Sequence, residues 1–163
     1  MLAREIAKRL KKPKPISIHH HMLMGLGKPP DSTLTGTDRV ISLKMSKSNP
    51  DTAIFMLDSL ADIKRKINKA YCPPKIIEEN PVLEYCKYII FEKIENFSIK
   101  RPEKYGGNVE YSSYEELMKD YREGKLNPPD LKPAVIKYLD QLIKPVRDRF
   151  EKDPLGDFVR GLK

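Results

Sequence analysis

The segment from Gly25 to Asp58 constrains this 163-residue chain more than any other. Gly25, Gly27, Pro29, Pro30 and Gly36 punctuate it, and Ser, Thr and Asp recur between them, so no long helix or strand is expected there. A stretch of this length without regular structure is usually functional or disordered. The residues before it read differently. Leu2, Ile6 and Leu10 recur every fourth position, predicting a short amphipathic helix that Pro13 and Pro15 stop. Ile16 and Ile18 then alternate within Pro15-Ile16-Ser17-Ile18-His19-His20, the pattern of a short strand. A helix followed by a strand is a piece of an α/β sheet, and one strand cannot make a sheet. Met1 also enters the helical pattern with no capping residue ahead of it, so the opening segment reads as incomplete.

Beyond the loop the periodicity is helical. Ser59 and Asp62 form a capping-box-like start for a helix carrying Leu60, Ile63, Ile67 and Ala70. Asn80-Pro81 opens another, with Leu83, Cys86, Ile90, Ile94 and Phe97 at helical spacing and proline at the favoured first position. Residues 97–101 and 109–113 flank Pro102 and Gly106-Gly107 and predict a hairpin. Ser113 and Glu116 form a capping box for a helix ending near Gly124. Leu131, Val135, Leu139, Leu142, Val146 and Phe150 define a long last helix, with a kink expected at Pro145. There is no internal repeat. The expected class is α/β plus mainly α, divided into residues 1–58 and 59–163.

Charge narrows the partners. Lys and Arg total 31 against 23 Asp and Glu, a net charge of +8, which favours a polyanion such as nucleic acid or a nucleotide. Arg4, Lys8, Arg9, Lys11, Lys12 and Lys14 form one basic run, and Lys64, Arg65, Lys66 and Lys69 a second. Each run suits either a solvated helix face or phosphate contact. No apolar run is long enough to span a bilayer and no secretory leader is evident, so neither a membrane nor a secreted protein is expected. Cys72 and Cys86 are too far apart for a zinc-type pair and fit a reduced, cytoplasmic setting. His19, His20 and His21 alternate faces if the segment is extended and converge poorly on a metal, so no metal site is expected. Glu78, Glu79, Glu115 and Glu116 read as helix-start charges, and Ser46 has no triad partners.

Inside the loop stands Lys44-Met45-Ser46-Lys47-Ser48. Two ammonium groups three residues apart, interleaved with hydroxyls and free N–H groups, can surround a polyphosphate from several sides. Charge builds on a departing diphosphate as its bond breaks, so such lysines favour the transition state over the ground state. The bland alternative is a polar surface loop.

This five-residue word resembles the second signature of class I aminoacyl-tRNA synthetases. The surrounding words resemble the archaeal and eukaryotic type of tyrosyl-tRNA synthetase: Met1 to Glu5, His21 to Leu26, Lys69 to Pro73, Asn80 to Glu84, Ile99 to Gly107, Ser113 to Leu117 and Asp130 to Lys132, in order along nearly the whole chain. The resemblance implies a Rossmann-like catalytic remnant over residues 1–58, followed by a helical anticodon-binding domain with a small hairpin over 59–163. It implies tyrosine-tRNA ligase activity: tyrosine and MgATP give tyrosyl-adenylate and pyrophosphate, and the tyrosyl group passes to tRNA(Tyr). Lys44 and Lys47 would hold phosphates as the catalytic lysines. Gly25, Leu26, Met45, Ser46 and Ser48 would complete the ATP site, with Met45 and the Gly25-Leu26 turn near the adenine.

By the same resemblance Tyr105 and Asp130 would hold the first anticodon base, by stacking and by accepting from guanine. Asp130 also suits an N-cap, and Tyr105 a simple cover for the hairpin turn. The family's first ATP signature does not occur in these residues, and in relatives the tyrosine pocket precedes the part matched here. The chain alone is therefore expected to be inactive, with tyrosine bound only if the upstream half is supplied. Its expected partners are tRNA(Tyr), ATP, and either a second copy or a complementing N-terminal half. Rival readings are a non-catalytic tRNA-binding module or split half, and the related tryptophanyl-tRNA synthetase.

Overall fold

A computed structural model describes residues 2–31, 33–45 and 49–152. Among these the fold is mainly helical, with one two-stranded antiparallel sheet. Helix α1 spans Leu2–Arg9, as its four-residue apolar repeat predicts. The strand expected after it does not form: residues 12–23 carry no regular structure, and Ile16 and Ile18 are 92% and 89% exposed. A strand needs a neighbour for its backbone groups, and no described segment lies alongside to supply them.

The loop contains a helix that its breakers concealed. Helix α2, Gly36–Leu43, follows an extended Thr35 and begins at a left-handed Gly36, φ +58°. No glycine or proline occurs from Thr37 to Leu43, and Asp38 places a carboxylate in the first turn, where it complements the helix dipole. A turn of 3-10 helix, Pro50–Thr52, closes the segment.

Helix α3, Leu60–Lys69, starts where its capping residues predict. Ser59 Oγ accepts from the Asp62 N–H at 3.1 Å and donates to the Asp62 carboxylate at 2.6 Å. Ile63 and Ile67 are fully buried, whereas Leu60 is half exposed. The last carbonyls of α3 are satisfied from a distance, by Lys132 Nζ donating to the Asn68 and Ala70 oxygens at 2.8 Å each.

Helix α4, Pro81–Tyr85, is capped by a buried Asn80 whose Oδ1 accepts from the Leu83 N–H. It runs on into one turn of π-helix, Cys86–Ile90, in which Phe91 N–H donates to the Cys86 oxygen at 2.9 Å. The chain leaves the helix there, so Phe97 belongs to the sheet instead of the helix. Strands β1, Phe97–Ile99, and β2, Val109–Tyr111, pair with Phe97 opposite Tyr111 and Ile99 opposite Val109, which is the expected hairpin. Tyr138 fastens β1 to the last helix by accepting from the Ser98 N–H at 3.0 Å.

Helix α5, Tyr114–Glu123, is capped by Ser113 Oγ, while the Glu116 carboxylate returns to the Ser112 N–H, one residue earlier than the capping box predicts. Gly124 ends it in the left-handed region, φ +79°. Helix α6, Pro128–Lys152, continues through Pro133 and Pro145. Its core face is Leu131, Val135, Leu139 and Ile143; Ile143 replaces the expected Leu142 and Val146, the latter 41% exposed. Asn127 accepts from the Asp130 and Leu131 N–H groups, so Asp130 lies in the first turn and is not the cap.

Two ion pairs position the loop. Lys66, expected on a basic surface, is only 4% exposed and donates to the Asp58 carboxylate at 2.6 Å and to the Ala53 oxygen at 2.9 Å. Arg39 on α2 grips Glu79 with two parallel hydrogen bonds, 2.7 and 2.6 Å, and donates to the Pro30 oxygen at 2.8 Å. Glu79 is thus a partner to the loop and not a helix-start charge.

Each pair has a measurable consequence. Lys66→Ala leaves a nearly buried carboxylate without its cation and should cost about 3 kcal/mol in urea unfolding. Arg39 holds the Glu79 carboxyl below its ordinary 4.5, chiefly through their hydrogen bonds. A carboxylate more acidic folded than unfolded stabilises the fold above its unfolded value and loses that contribution as pH falls through the lower folded one. The urea midpoints of wild type and Glu79→Gln should therefore differ at neutral pH and converge in acid well below 4.5.

Candidate functional site

Lys44 follows the last residue of α2, and its backbone is fixed on two sides. Lys44 and Met24 form an isolated antiparallel bridge, and Gly25 N–H donates to the Leu43 oxygen at 2.7 Å. Leu26 continues the contact, its N–H donating to the Thr52 oxygen at 2.9 Å and its oxygen accepting from the Tyr71 N–H at 2.8 Å. Residues 24–26 therefore lie between the end of α2 and the Pro50–Thr52 turn. The Leu26 side chain, expected beside a nucleotide, is 2% exposed and packed with Ile63, Ile67 and Leu83 in the main core. The buried side chain instead anchors the Gly25-Leu26 turn to that core.

The Lys44 side chain is exposed and borders two cavities. The smaller, about 170 Å³, is also lined by Gly25, Gly27, Lys28, Asn49 and Thr52. Lys28 was not singled out from the sequence, yet it brings a second ammonium to this cavity. Neither lysine has an ion-pair partner among the described residues, an arrangement suited to an anion. The larger cavity, about 550 Å³, is also lined by His20, His21, Met22, Met45, Tyr88 and Glu92. Met45 receives a hydrogen bond from the Tyr85 hydroxyl, O to Sδ 3.5 Å. Burial pushes that hydroxyl up to about 12, so it keeps its proton and remains a donor at neutral pH. Ser46, Lys47 and Ser48 lie outside the described residues.

The three histidines do not form a common site. His21 Nε2 lies 3.1 Å from Glu84 Oε1, and the His21 ring stacks on Tyr88 with centroids 3.9 Å apart. The other Glu84 oxygen accepts from the Met24 N–H at 2.9 Å. Among the described residues no group of three or more His, Cys, Asp or Glu could hold a metal ion. Glu84 escaped notice in the sequence because its partners are 60 and 63 residues away.

Asp130, at the start of α6, lines a separate cavity of about 200 Å³ with Ser98, Lys100, Pro133, Ala134 and Lys137. Tyr105 does not line that cavity. It ends a 3-10 turn, Glu103–Tyr105, just before the left-handed Gly106, and is 60% exposed with Lys104 Nζ 4.8 Å from its ring. Of the second basic run, Lys66 is buried and Arg65 pairs with Asp51 at 2.6 Å, leaving Lys64 and Lys69 as its exposed, unpaired members among the described residues. In the first run Arg4, Lys8, Arg9, Lys11, Lys12 and Lys14 are all exposed.

The family described as tRNA synthetases class I (W and Y) matches residues 1–144. The tyrosine–tRNA ligase of Thermococcus sibiricus is 46% identical over 94% of the chain, and that of Aeropyrum pernix 47% identical over 94%. The chain spans about 45% and 43% of those relatives' lengths. The tyrosyl-tRNA synthetase of Pyrococcus horikoshii, solved in complex with L-tyrosine, superposes with a TM-score of 0.83 at 42% identity, covering 94% of this chain and 45% of that one. A Leishmania major tyrosyl-tRNA synthetase covers 99% of the chain, with a TM-score of 0.70 and 29% identity. With that family matching residues 1–144, and on a fold shared with these proteins, the chain belongs to the tRNA synthetases class I (W and Y).

Proposed function

We propose that this chain carries the ATP-signature loop and the anticodon-reading part of a tyrosine-tRNA ligase. The observation that supports this best is Lys44, fixed by its bridge to Met24 and facing a cavity it shares with Lys28. In the reaction, the tyrosine carboxylate attacks the α-phosphorus of ATP, the bond to the bridging oxygen breaks, and pyrophosphate leaves with the electron pair. Negative charge grows on the departing phosphates. Lys44 and Lys47 stabilise it, while Ser46, Ser48 and the backbone N–H groups of the loop supply further donors. Met45 and the Gly25-Leu26 turn would lie near the adenine, with the buried Leu26 side chain anchoring the turn. MgATP is a substrate and brings its own cation.

Residues 1–58 would then be the end of a Rossmann-like catalytic domain, and 59–163 the anticodon-binding domain. Asp130, beside Lys100 and Lys137, would accept from the first anticodon base, and the exposed Tyr105 ring would stack on an unpaired base. The α1 basic run would contact RNA phosphate. The family includes a tryptophan branch, and anticodon choice separates the two.

The decisive experiment combines the 163-residue chain with a polypeptide supplying the upstream half of an archaeal relative and measures tyrosine-dependent pyrophosphate exchange and charging of tRNA(Tyr). Activity is expected from the mixture and not from the chain alone. Lys44→Ala in the mixture should lower the exchange rate by on the order of a hundredfold, about 3 kcal/mol. No restoration, with tight stem-loop binding retained, would favour a tRNA-binding module. The chain should bind a GUA anticodon stem-loop in preference to a CCA one. Affinity should fall steeply between low and moderate salt as bound counterions are released. Equal binding of the two stem-loops would remove the tyrosine assignment.

A further inference from the structure

Two adjacent residues of α4 reach both sides of the bridge that fixes the signature lysine. Glu84 accepts from the Met24 N–H on one side, and the Tyr85 hydroxyl donates to Met45 on the other. Between them runs the Met24–Lys44 bridge, extended by the hydrogen bond from Gly25 to Leu43. Glu84 is itself held: its second oxygen meets His21 Nε2 at 3.1 Å, and the His21 ring lies flat on Tyr88, one helical turn further along. A carboxylate with both oxygens engaged has little freedom to turn. A charge-assisted bond to a backbone N–H is also stronger than a neutral one.

We propose that Glu84, oriented by His21, is a positioning residue for the nucleotide loop: it locks Met24 in place and, through the Met24–Lys44 bridge, sets the direction from which Lys44 enters its cavities. The carboxylate lines neither of the cavities that Lys44 borders. It acts through the backbone, and it comes from a helix whose N-cap, Asn80, adjoins the Glu79 that grips Arg39 on α2. One short stretch, Glu79 to Tyr85, thereby holds the signature segment from its helix and from both sides of the bridge. The inference deepens the functional reading above and rests on it for the identity of the ligand, though not for the mechanical link.

The test separates the two. Amide hydrogen exchange is measured on the 163-residue chain for wild type, Glu84→Gln and Glu84→Leu, together with the affinity of each for inorganic pyrophosphate. Glu84→Leu should lower protection at Met24 and Gly25 by about tenfold, the loss expected for one charge-assisted hydrogen bond, and leave the core amides of α3 and α6 unchanged. Glu84→Gln keeps an acceptor and should recover most of that protection. Pyrophosphate affinity should follow the same order, falling about tenfold in the leucine variant and less than threefold in the glutamine one. Unchanged protection at Met24 and Gly25, or a uniform loss that includes the core, would overturn the positioning role. Wild-type chain that ignores pyrophosphate while the exchange pattern holds would instead remove the phosphate reading and leave Glu84 as the lock on Met24.

Discussion

The ammonium of Lys66 is the constraint on which the arrangement of the loop depends. A lysine that is 4% exposed is tolerated only where its charge is matched and its donors are used, and here the Asp58 carboxylate and the Ala53 oxygen do both. Asp58 in turn accepts from the Phe55 N–H, and its backbone oxygen accepts from Arg147, which pairs with Asp140 on α6. Three segments therefore meet at one residue: the end of the loop and α3 at the Asp58 carboxylate, and α6 at its backbone oxygen. The Phe55 ring lies 4.6 Å from the ammonium and covers it from a further side. Because Asp58 closes the Gly25–Asp58 segment, this node fixes where the chain returns to the helical body.

The sequence made the helical part largely readable and the loop only partly so. Ser59, Asn80, Ser113 and Gly124 act within four residues of themselves, and each marks a boundary that the structure retains. Local signals of this kind survive without knowledge of the fold. Helix α2 went unseen because the breakers around it drew more weight than the unbroken run from Thr37 to Leu43. The strand at Ile16 and Ile18 failed for the opposite reason: its alternation is genuine, but alternation stabilises nothing without a paired neighbour. The π-helical turn at Cys86–Ile90 was also hidden, since a continued apolar spacing through Ile94 reads the same whether or not the helix widens.

The site divides along the same line. Lys44 and Met45 were legible as a motif, and Asp130 and Tyr105 through resemblance to a family. The residues that hold the segment around Lys44 were not, because Glu84, Arg39, Glu79 and Lys66 look like ordinary surface charges until their distant partners are known. Glu84 meets residues 60 and 63 positions away, and Arg39 meets one 40 away. The basic run at 64–69 illustrates the error that follows: four similar letters resolve into a buried pin, an ion-paired guanidinium and two exposed ammoniums.

On the function proposed above, a loop that favours a departing diphosphate faces conflicting demands. Its lysines have to be close enough to stabilise charge as it appears, yet they must not grip the intact nucleotide so firmly that the ground state is lowered equally. Fixing the backbone at one end resolves part of this conflict. With Met24 and Leu43 holding the start of the signature, Lys44 needs only side-chain motion to reach its cavity, so the entropy cost of ordering it is largely met during folding. The anchoring groups come from α4 and from the Glu79 that precedes it, and both belong to the helical body. The same packing that stabilises that body therefore sets the position of the first signature lysine. A change in how α4 seats against its neighbours would be felt at Lys44 through the backbone of Met24.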